Sequence, residues 1–132
     1  MKKILVSILV LFSSFLSFAQ NSAYTQSLEK LMHAKNGDAI FSRLVESSTQ
    51  NIEVAKQANF KQKANKLAFS KQAEAVEYFT KKYSQADINE IYTEFTSEGR
   101  IDYTPKTLTF IREWRNFKGE FQKEFKELYK SM

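Results

Sequence analysis

The side chains that could perform chemistry are few and far apart in this chain. His33 is the single histidine among 132 residues, so side chains alone cannot build a histidine-based metal cluster or a catalytic triad. The chain has no cysteine, which excludes disulfides and a lipid-acceptor cysteine behind an export signal. No nucleophile, base and orienting residue occur together. We therefore expect no catalytic residue, no metal, no cofactor and no enzymatic activity.

Charged residues form two groups that have both a functional and an ordinary interpretation. Glu90, Glu94 and Glu98 recur every four residues and share one face of a predicted helix, but a cation site needs ligands from several segments. A solvated acidic stripe is therefore favoured. Five lysines make the middle of the chain basic: Lys56, Lys61, Lys63, Lys66 and Lys71. They could bind anionic lipid or cell-wall polymer, yet they spread around the helix, as solubilising charges usually do.

Aromatic residues near the C-terminus form the remaining candidate site. The candidate partner-binding aromatic patch consists of Tyr103, Phe110, Trp114 and Phe117. Such a cluster can line an apolar groove, although core packing is the commoner reason for one. We predict that Trp114 belongs to the core and holds the last helix against the segment from Tyr83 to Phe95.

The stretch from Tyr83 to Trp114 predicts a helical corner around which the chain is organised. Ser84 and Asp87 have the spacing of a capping box at a helix start. The apolar residues that follow at helical spacing are Ile88, Ile91, Tyr92 and Phe95. Gly99 then predicts a positive backbone dihedral, while Thr104 and Pro105 predict a cap and the first position of a longer helix.

The N-terminal segment Met1 to Ala19 has the pattern of a secretory signal peptide. Lys2 and Lys3 precede an apolar run, and Ser17-Phe18-Ala19 is a small-x-small cleavage site. The run is about 15 residues, or roughly 22 Å of helix, which is short for a hydrocarbon core of about 30 Å. An uncleaved anchor remains an alternative. Cleavage would leave residues 20–132, without two lysines, so the formal charge would fall from +5 to +3. This mild excess does not argue for nucleic acid.

The mature chain is predicted to form one all-α domain, a bundle of four to six helices. A first helix is expected from about Ser22 to His33, ended by Asn36-Gly37, with Asp38 placed to cap the next. No glycine or proline occurs between Asp38 and Tyr83, but a rod of that length could not be covered by a chain this size. A break is therefore expected between Thr49 and Asn59. The last helix runs from Pro105 to about Lys130, with Asn116 and Gly119 as the weak point for a bend.

The corner also resembles a bacterial exported family, catalogued as domain of unknown function two-thousand-and-fifty-nine. Glu94 stands in place of one member of the family's aromatic pair, the proline after Ser97 is missing, and the spacing from serine to glycine is one residue shorter. The resemblance covers about the second half of the mature chain. It implies an all-helical periplasmic domain and brings no catalytic residues. The residues that carry it are Val76, Glu77, Tyr83, Ser84, Asp87, Ile88, Glu90, Ile91, Phe95, Ser97, Gly99 and Pro105.

Three functional hypotheses follow from the sequence. The first is a periplasmic or secreted binding module that uses an apolar groove or the aromatic patch for a peptide or another helix. The second is an envelope- or membrane-surface-associated structural protein whose basic helix contacts anionic lipid. The third is an enzyme, which the absence of a catalytic constellation disfavours. A contiguous exposed apolar patch would favour the first hypothesis, and salt-dependent lipid binding would favour the second.

Overall fold

A computed structural model describes residues 22–99 and 102–132. The predicted signal peptide lies outside these residues. Within them the chain forms five α-helices and one short 3₁₀ turn, and no strand occurs in this part of the chain. The all-α, single-domain bundle predicted from the sequence is confirmed. The helices are α1 (Ser22–His33), α2 (Ala39–Thr49), α3 (Val54–Lys82), α4 (Gln85–Thr96) and α5 (Pro105–Lys130), and the 3₁₀ turn is Ala34–Asn36.

The two longest helices, α3 and α5, pack along each other and form the axis of the bundle. α2 packs on α3, and α1 packs on α4 and more lightly on α3. The core between these helices is rich in aromatic side chains, which supply the burial that a chain without cysteine needs. Its fully buried phenylalanines are Phe60, Phe79, Phe110 and Phe121.

The long segment without glycine or proline breaks where it was expected to. α2 ends at Thr49 and α3 begins at Val54, so the connection lies within the predicted interval. The buried stripe of α3 runs through Phe60, Ala64, Ala68, Ala75 and Phe79, as the helical period predicts. Tyr78 precedes Phe79 directly in the sequence but is exposed.

The turn after α1 contains Asn36, one of the two residues predicted to end this helix, and it depends on two positive φ angles. Lys35 and Asn36 have positive φ angles of 54° and 58°, whereas Gly37 has an ordinary helical φ of −59°. Gly37 is required for space: a Cβ there would lie 2.5 Å from the Met32 carbonyl oxygen and 3.1 Å from Trp114 Nε1. Asp38 occupies the N-cap position of α2, as predicted, but its side chain makes no capping hydrogen bond.

The helical corner is confirmed in most of its parts. Ser84 and Asp87 form the reciprocal capping box at the start of α4, and Pro105 is the first residue of α5. Gly99 has a φ of 105°, but it belongs to the turn and does not cap α4, which ends at Thr96. Thr104 occupies the N-cap position of α5, as predicted, but its hydroxyl makes no capping hydrogen bond. Its hydroxyl donates instead to Glu94, 3.1 Å away on α4.

Helix α5 runs without interruption through the glycine that was expected to weaken it. Gly119 is exposed and lies on the outer side of α5, where a Cβ would meet no atom within 4 Å. Its missing side chain therefore leaves no gap in the packing. The inner side of α5 supplies Phe110, Trp114, Phe121 and Phe125 to the core.

Candidate functional site

The four residues of the predicted aromatic patch do not form one exposed surface. Phe110 and Trp114 are buried in the core, and Phe117 is half-buried against Phe79, with 5.8 Å between the ring centroids. Tyr103 lies apart, in the corner, where its ring centroid is 6.3 Å from that of Phe95. Core packing is therefore the main role of this aromatic cluster.

Trp114 occupies the core, as predicted, and its aromatic neighbours come from α2 and α3. Only 3% of its surface is exposed, and its ring packs near Phe41 of α2 and Phe79 of α3, at centroid distances of 5.8 Å and 6.5 Å. The indole Nε1 donates to the carbonyl oxygen of Met32 at the end of α1, at 3.2 Å. The prediction that Trp114 holds the last helix against the segment from Tyr83 to Phe95 stays a prediction. Phe110, one turn earlier on α5, reaches that segment through Tyr83.

The surface that could accept a partner is a groove between α1 and α3, which we call the Phe69 groove. It encloses about 540 Å³. Its apolar side consists of Phe69, Ala73 and Val76 from α3 and Met32 from α1. Its polar lining residues are Gln26, Glu29, Lys30, His33, Asp38 and Gln72.

Phe69 is the unusual residue of this groove. It is 68% exposed, whereas Phe60 and Phe79 on the same helix are fully buried. Successive residues of an α-helix differ by about 100° around the axis, so Phe69 is carried away from the buried stripe on which Ala68 lies. Phe69 is absent from the residues predicted to bind a partner because it lies off the apolar stripe of α3. The sequence does contain a signal for it, because a large aromatic residue outside the buried stripe of a helix is expected to be exposed.

His33 and Asp38 form a polar pair at the lining of the groove. Nδ1 of His33 lies 2.7 Å from a carboxylate oxygen of Asp38, and the imidazole is well exposed. Since His33 is the last residue of α1, the structure agrees with its expected place at a helix end. Asp38 turns to this imidazole and leaves the start of α2 without a side-chain cap.

The basic middle segment divides into exposed lysines and one buried lysine. Lys56, Lys61, Lys63 and Lys66 are exposed on α3. Lys71 is instead buried on the core-facing side of α3, and its ammonium group lies 3.0 Å from Glu124 and 3.3 Å from Glu74. The hydrogen bond to Glu124 is the main reason that the pKa of Lys71 is raised, against the opposing effect of burial.

Lys71 and Glu124 meet along the line of contact between α3 and α5. A second charged pair lies on the same line of contact, nearer the C-terminal end of α3. Lys82 of α3 binds one carboxylate oxygen of Glu113, and this hydrogen bond raises the pKa of Lys82. Glu113 is buried, as is the neighbouring Tyr83. Burial, followed by the negative charge of Glu113, raises the pKa of the Tyr83 hydroxyl.

Glu90 and Glu94 of the predicted acidic stripe lie on α4 and fasten the corner, whereas Glu98 lies beyond the end of this helix, so the prediction that all three share one helix is wrong. Glu94 accepts hydrogen bonds from the backbone N–H and the hydroxyl of Thr104, just before α5 begins. Lys106 of α5 bridges Asp87 and Glu90, at 2.6 Å and 2.8 Å. The bond from Lys106 lowers the pKa of Asp87 to about 2. Among the described residues no group of three or more potential ligands is placed to hold a metal ion.

Comparison of the chain with family models, curated proteins and solved structures gave no match. The resemblance of the corner to the exported family therefore stays a prediction. Across residues 22–99 and 102–132, no helix combines the length and the apolar character that crossing a membrane requires.

Proposed function

We propose that this protein is an exported, non-enzymatic binding module whose Phe69 groove holds a short segment of another protein by an apolar side chain. The observation that carries the proposal is the exposure of Phe69 beside Ala73 and Val76. Phe69, Ala73 and Val76 together form an apolar surface on α3, and such a surface becomes covered on binding. The groove volume falls within the range of about 300–1,000 Å³ that is common for ligand pockets.

The charges at the groove support recognition by apolar contact. The lining residues include two carboxylates, from Glu29 and Asp38, and one ammonium group, from Lys30, so with His33 neutral the formal charge is only −1. Apolar burial contributes about 25 cal/mol per Å², and one anchoring side chain can contribute a large part of the binding free energy.

The lining of the groove also supports a function without catalysis. None of its described lining residues carries a hydroxyl or thiol group that could act as a nucleophile beside the His33–Asp38 pair. Export through the signal peptide Met1 to Ala19 is part of the same proposal and rests on the sequence pattern alone.

The test is selection of displayed peptides on the purified mature protein, followed by fluorescence anisotropy with the selected peptides. Phe69→Ala should weaken their binding about 10-fold or more, the effect of a typical hot-spot residue. Leu108→Ala is the matched control, because Leu108 is 54% exposed on α5 and does not line the groove. Equal losses for the two variants, or failure to select any peptide, would contradict the proposal.

A second candidate function is adsorption to an anionic envelope surface through α3. The observation that favours it is the exposure of Lys56, Lys61, Lys63 and Lys66 in a stretch with no acidic residue between Glu53 and Glu74. Each lysine close to an anionic membrane contributes about 1 kcal/mol at most, and salt screens this attraction. Co-sedimentation with vesicles containing anionic lipid should therefore decrease as salt is raised. Equal binding to neutral vesicles would exclude this function.

A further inference from the structure

We propose that α3 carries a self-complementary stripe through which two copies of this chain associate as an antiparallel dimer. The stripe, called here the Phe69 stripe, includes the α3 side of the Phe69 groove and continues along α3 beyond it. The inference rests on the function proposed for that groove, because it names the partner molecule that the groove accepts. The residues of the stripe are Gln62, Lys66, Phe69, Ala73, Val76 and Thr80.

The spacing of the Phe69 stripe is that of a helix surface that packs on another helix. Its residues follow one another at alternating intervals of four and three, as the contact positions of coiled-coil helices do. Phe69 and the polar members of the stripe are exposed, and Ala73 and Val76 are half-buried beside α1. The buried side of α3, which contains Ala68 and Ala75, lies about a third of a turn away. The stripe is therefore a second packing surface of α3 that no helix covers within the described residues.

The sizes of the side chains fit a second copy in antiparallel orientation. When a two-fold axis passes between the two helices at the level of residue 71, residue 69 of each copy lies opposite residue 73 of the other. The large ring of Phe69 then meets the small side chain of Ala73 twice, and such large-against-small contacts let two helices approach closely. The same arrangement places Lys66 opposite Val76, where its methylene stem covers apolar surface while its ammonium group stays in water.

The charges beside the stripe also match those of an antiparallel copy. Lys63 and Glu77 lie on one flank of the stripe, seven residues on either side of Ser70, and both are exposed. Glu77 contacts Lys81 of its own helix at 3.2 Å, but both of these side chains remain well exposed. In an antiparallel pair the same flanks of the two helices meet, so Lys63 of each copy lies near Glu77 of the other. Exposed ion pairs contribute little affinity, yet they select the orientation of the partner.

A parallel copy would fit the same surface less well. In a parallel pair the flank with Lys63 and Glu77 meets the opposite flank of the second copy, where Asn65 and Gln72 carry no charge, so both ion pairs are lost. The two Phe69 rings would also lie opposite each other and hold the helices apart. The antiparallel orientation is therefore the one that the stripe favours.

The direct test is the molar mass of the mature protein at low salt, measured by sedimentation equilibrium from about 10 µM to about 1 mM. The mass should rise from one chain toward two with a Kd on the order of 100 µM, because a contact along about 27 Å of one helix pair is small for a specific interface. Phe69→Ala should raise the Kd about 10-fold or more, whereas Leu108→Ala, at an exposed position outside the stripe, should change it less than about two-fold. A monomer mass over the whole range, or equal Kd values for these two variants, would overturn the proposal.

Exchanging the charges tests the orientation of the two copies. Lys63→Glu and Glu77→Lys should each raise the Kd about three-fold or more, because each change brings like charges together at both ion pairs. When the two variants are mixed, the mixed dimer again joins opposite charges at both positions, so its Kd should lie within about two-fold of the wild-type value. Lys61→Glu makes the same charge change at an exposed position away from the stripe and should leave the Kd unaltered. A mixture that associates no better than the single variants would refute the antiparallel arrangement.

Peptide binding separates this inference from the function proposed for the groove. Lys63 does not line the groove, so Lys63→Glu should bind the selected peptides as tightly as the wild type does. Peptide binding by a protein that stays monomeric at every concentration would overturn the dimer and leave the proposed function in place. A dimer that responds to the mixed variants as expected, with no selectable peptide, would support the dimer and contradict the binding of short segments.

Discussion

At the scale of single residues, Trp114 connects four of the five described helices. From α5 it contacts Phe41 of α2 and Phe79 of α3, and it donates a hydrogen bond to Met32 of α1. Trp114→Ala should therefore cost about 3–5 kcal/mol of unfolding free energy, because the cavity would open where these helices meet. Thermal or denaturant unfolding measures this loss.

The fluorescence of Trp114 gives an independent check, since it is the only tryptophan in the chain. A buried indole should emit to the blue of free indole and resist quenching by acrylamide. Trp114→Phe keeps an aromatic ring but leaves the Met32 carbonyl without its donor, which should cost about 1–3 kcal/mol. Emission like that of free indole, together with a normal melt for the alanine variant, would place Trp114 on the surface.

Gly37 is a second residue whose role depends on what surrounds it. Alanine usually stabilises at helical dihedrals, and Gly37 has helical dihedrals. Here the added Cβ would lie 2.5 Å from the Met32 carbonyl oxygen and close to Trp114 Nε1. We expect Gly37→Ala to destabilise the fold by about 1–3 kcal/mol, because the backbone at residue 37 must move away from Met32 and Trp114. The same movement should change the tryptophan emission. Equal or higher stability of the variant would show that the chain adjusts there without cost.

At the scale of helices, the start of α4 should make stability depend on pH in the acid range. Asp87 accepts the Ser84 N–H within the capping box and binds Lys106 of α5. Its pKa in the folded protein is about 2, below the ordinary 3.8. Folding therefore favours the carboxylate, which stabilises fully above about pH 4 and loses its contribution as the pH falls toward 2.

Asp87→Asn tests this dependence. At pH 7 the variant should melt a few degrees below the wild type, because it loses both the bond to Lys106 and the acidic half of the capping box. The difference in midpoint should narrow as the pH is lowered from about 4 to about 2. Glu46→Gln, an exposed acidic position of α2, serves as the control. A difference that stays constant over this pH range would argue against the ion pair.

Two glycines of the corner and of α5 should respond in opposite ways to a larger side chain. Gly99 has a φ of 105°, and a Cβ there would meet no atom within 4 Å, so the cost of Gly99→Val comes from the backbone alone. We expect a loss of about 1–3 kcal/mol. Gly119→Ala should instead stabilise by about 0.5–1 kcal/mol, because glycine weakens the interior of a helix. Thermal melts of the two variants show whether each change raises or lowers the stability of the fold. A Gly99→Val variant that is more stable than the wild type would contradict the positive φ angle of Gly99.

At the scale of the whole molecule, stability comes from the aromatic core without any covalent cross-link. Domains of this size have unfolding free energies of about 5–15 kcal/mol, so the loss expected for Trp114→Ala is a large share of the total. The variants above should therefore be compared at a temperature well below the wild-type midpoint.

The predicted processing is also a property of the whole chain. Cleavage after Ala19 should yield an exported protein that begins at Gln20, because the apolar run is short and a small-x-small site follows it. Intact-mass measurement of protein recovered outside the cytoplasm tests this boundary. A mass that includes residues 1–19 would show that the segment is retained, as the alternative of an uncleaved anchor requires.

The sequence determined those features that arise within a few neighbouring residues. The capping box of Ser84 and Asp87 closes within one helical turn, and Pro105 is suited to a helix start whatever packs against it. The apolar period likewise identified the buried side of α3, because only one side of a helix can face the core. Together these local signals were sufficient to predict an all-α bundle.

Only the tertiary structure decided which helix covers each apolar side and which polar groups meet. Periodicity places Trp114 on the inner side of α5 but does not identify Phe41, Phe79 and Met32 as its neighbours. Likewise, the buried position of Lys71 depends on carboxylates that α5 brings from about 50 residues away along the chain. The Phe69 groove forms between two separate helices. Its residues become neighbours only after long-range packing, and local periodicity carries no information on that packing.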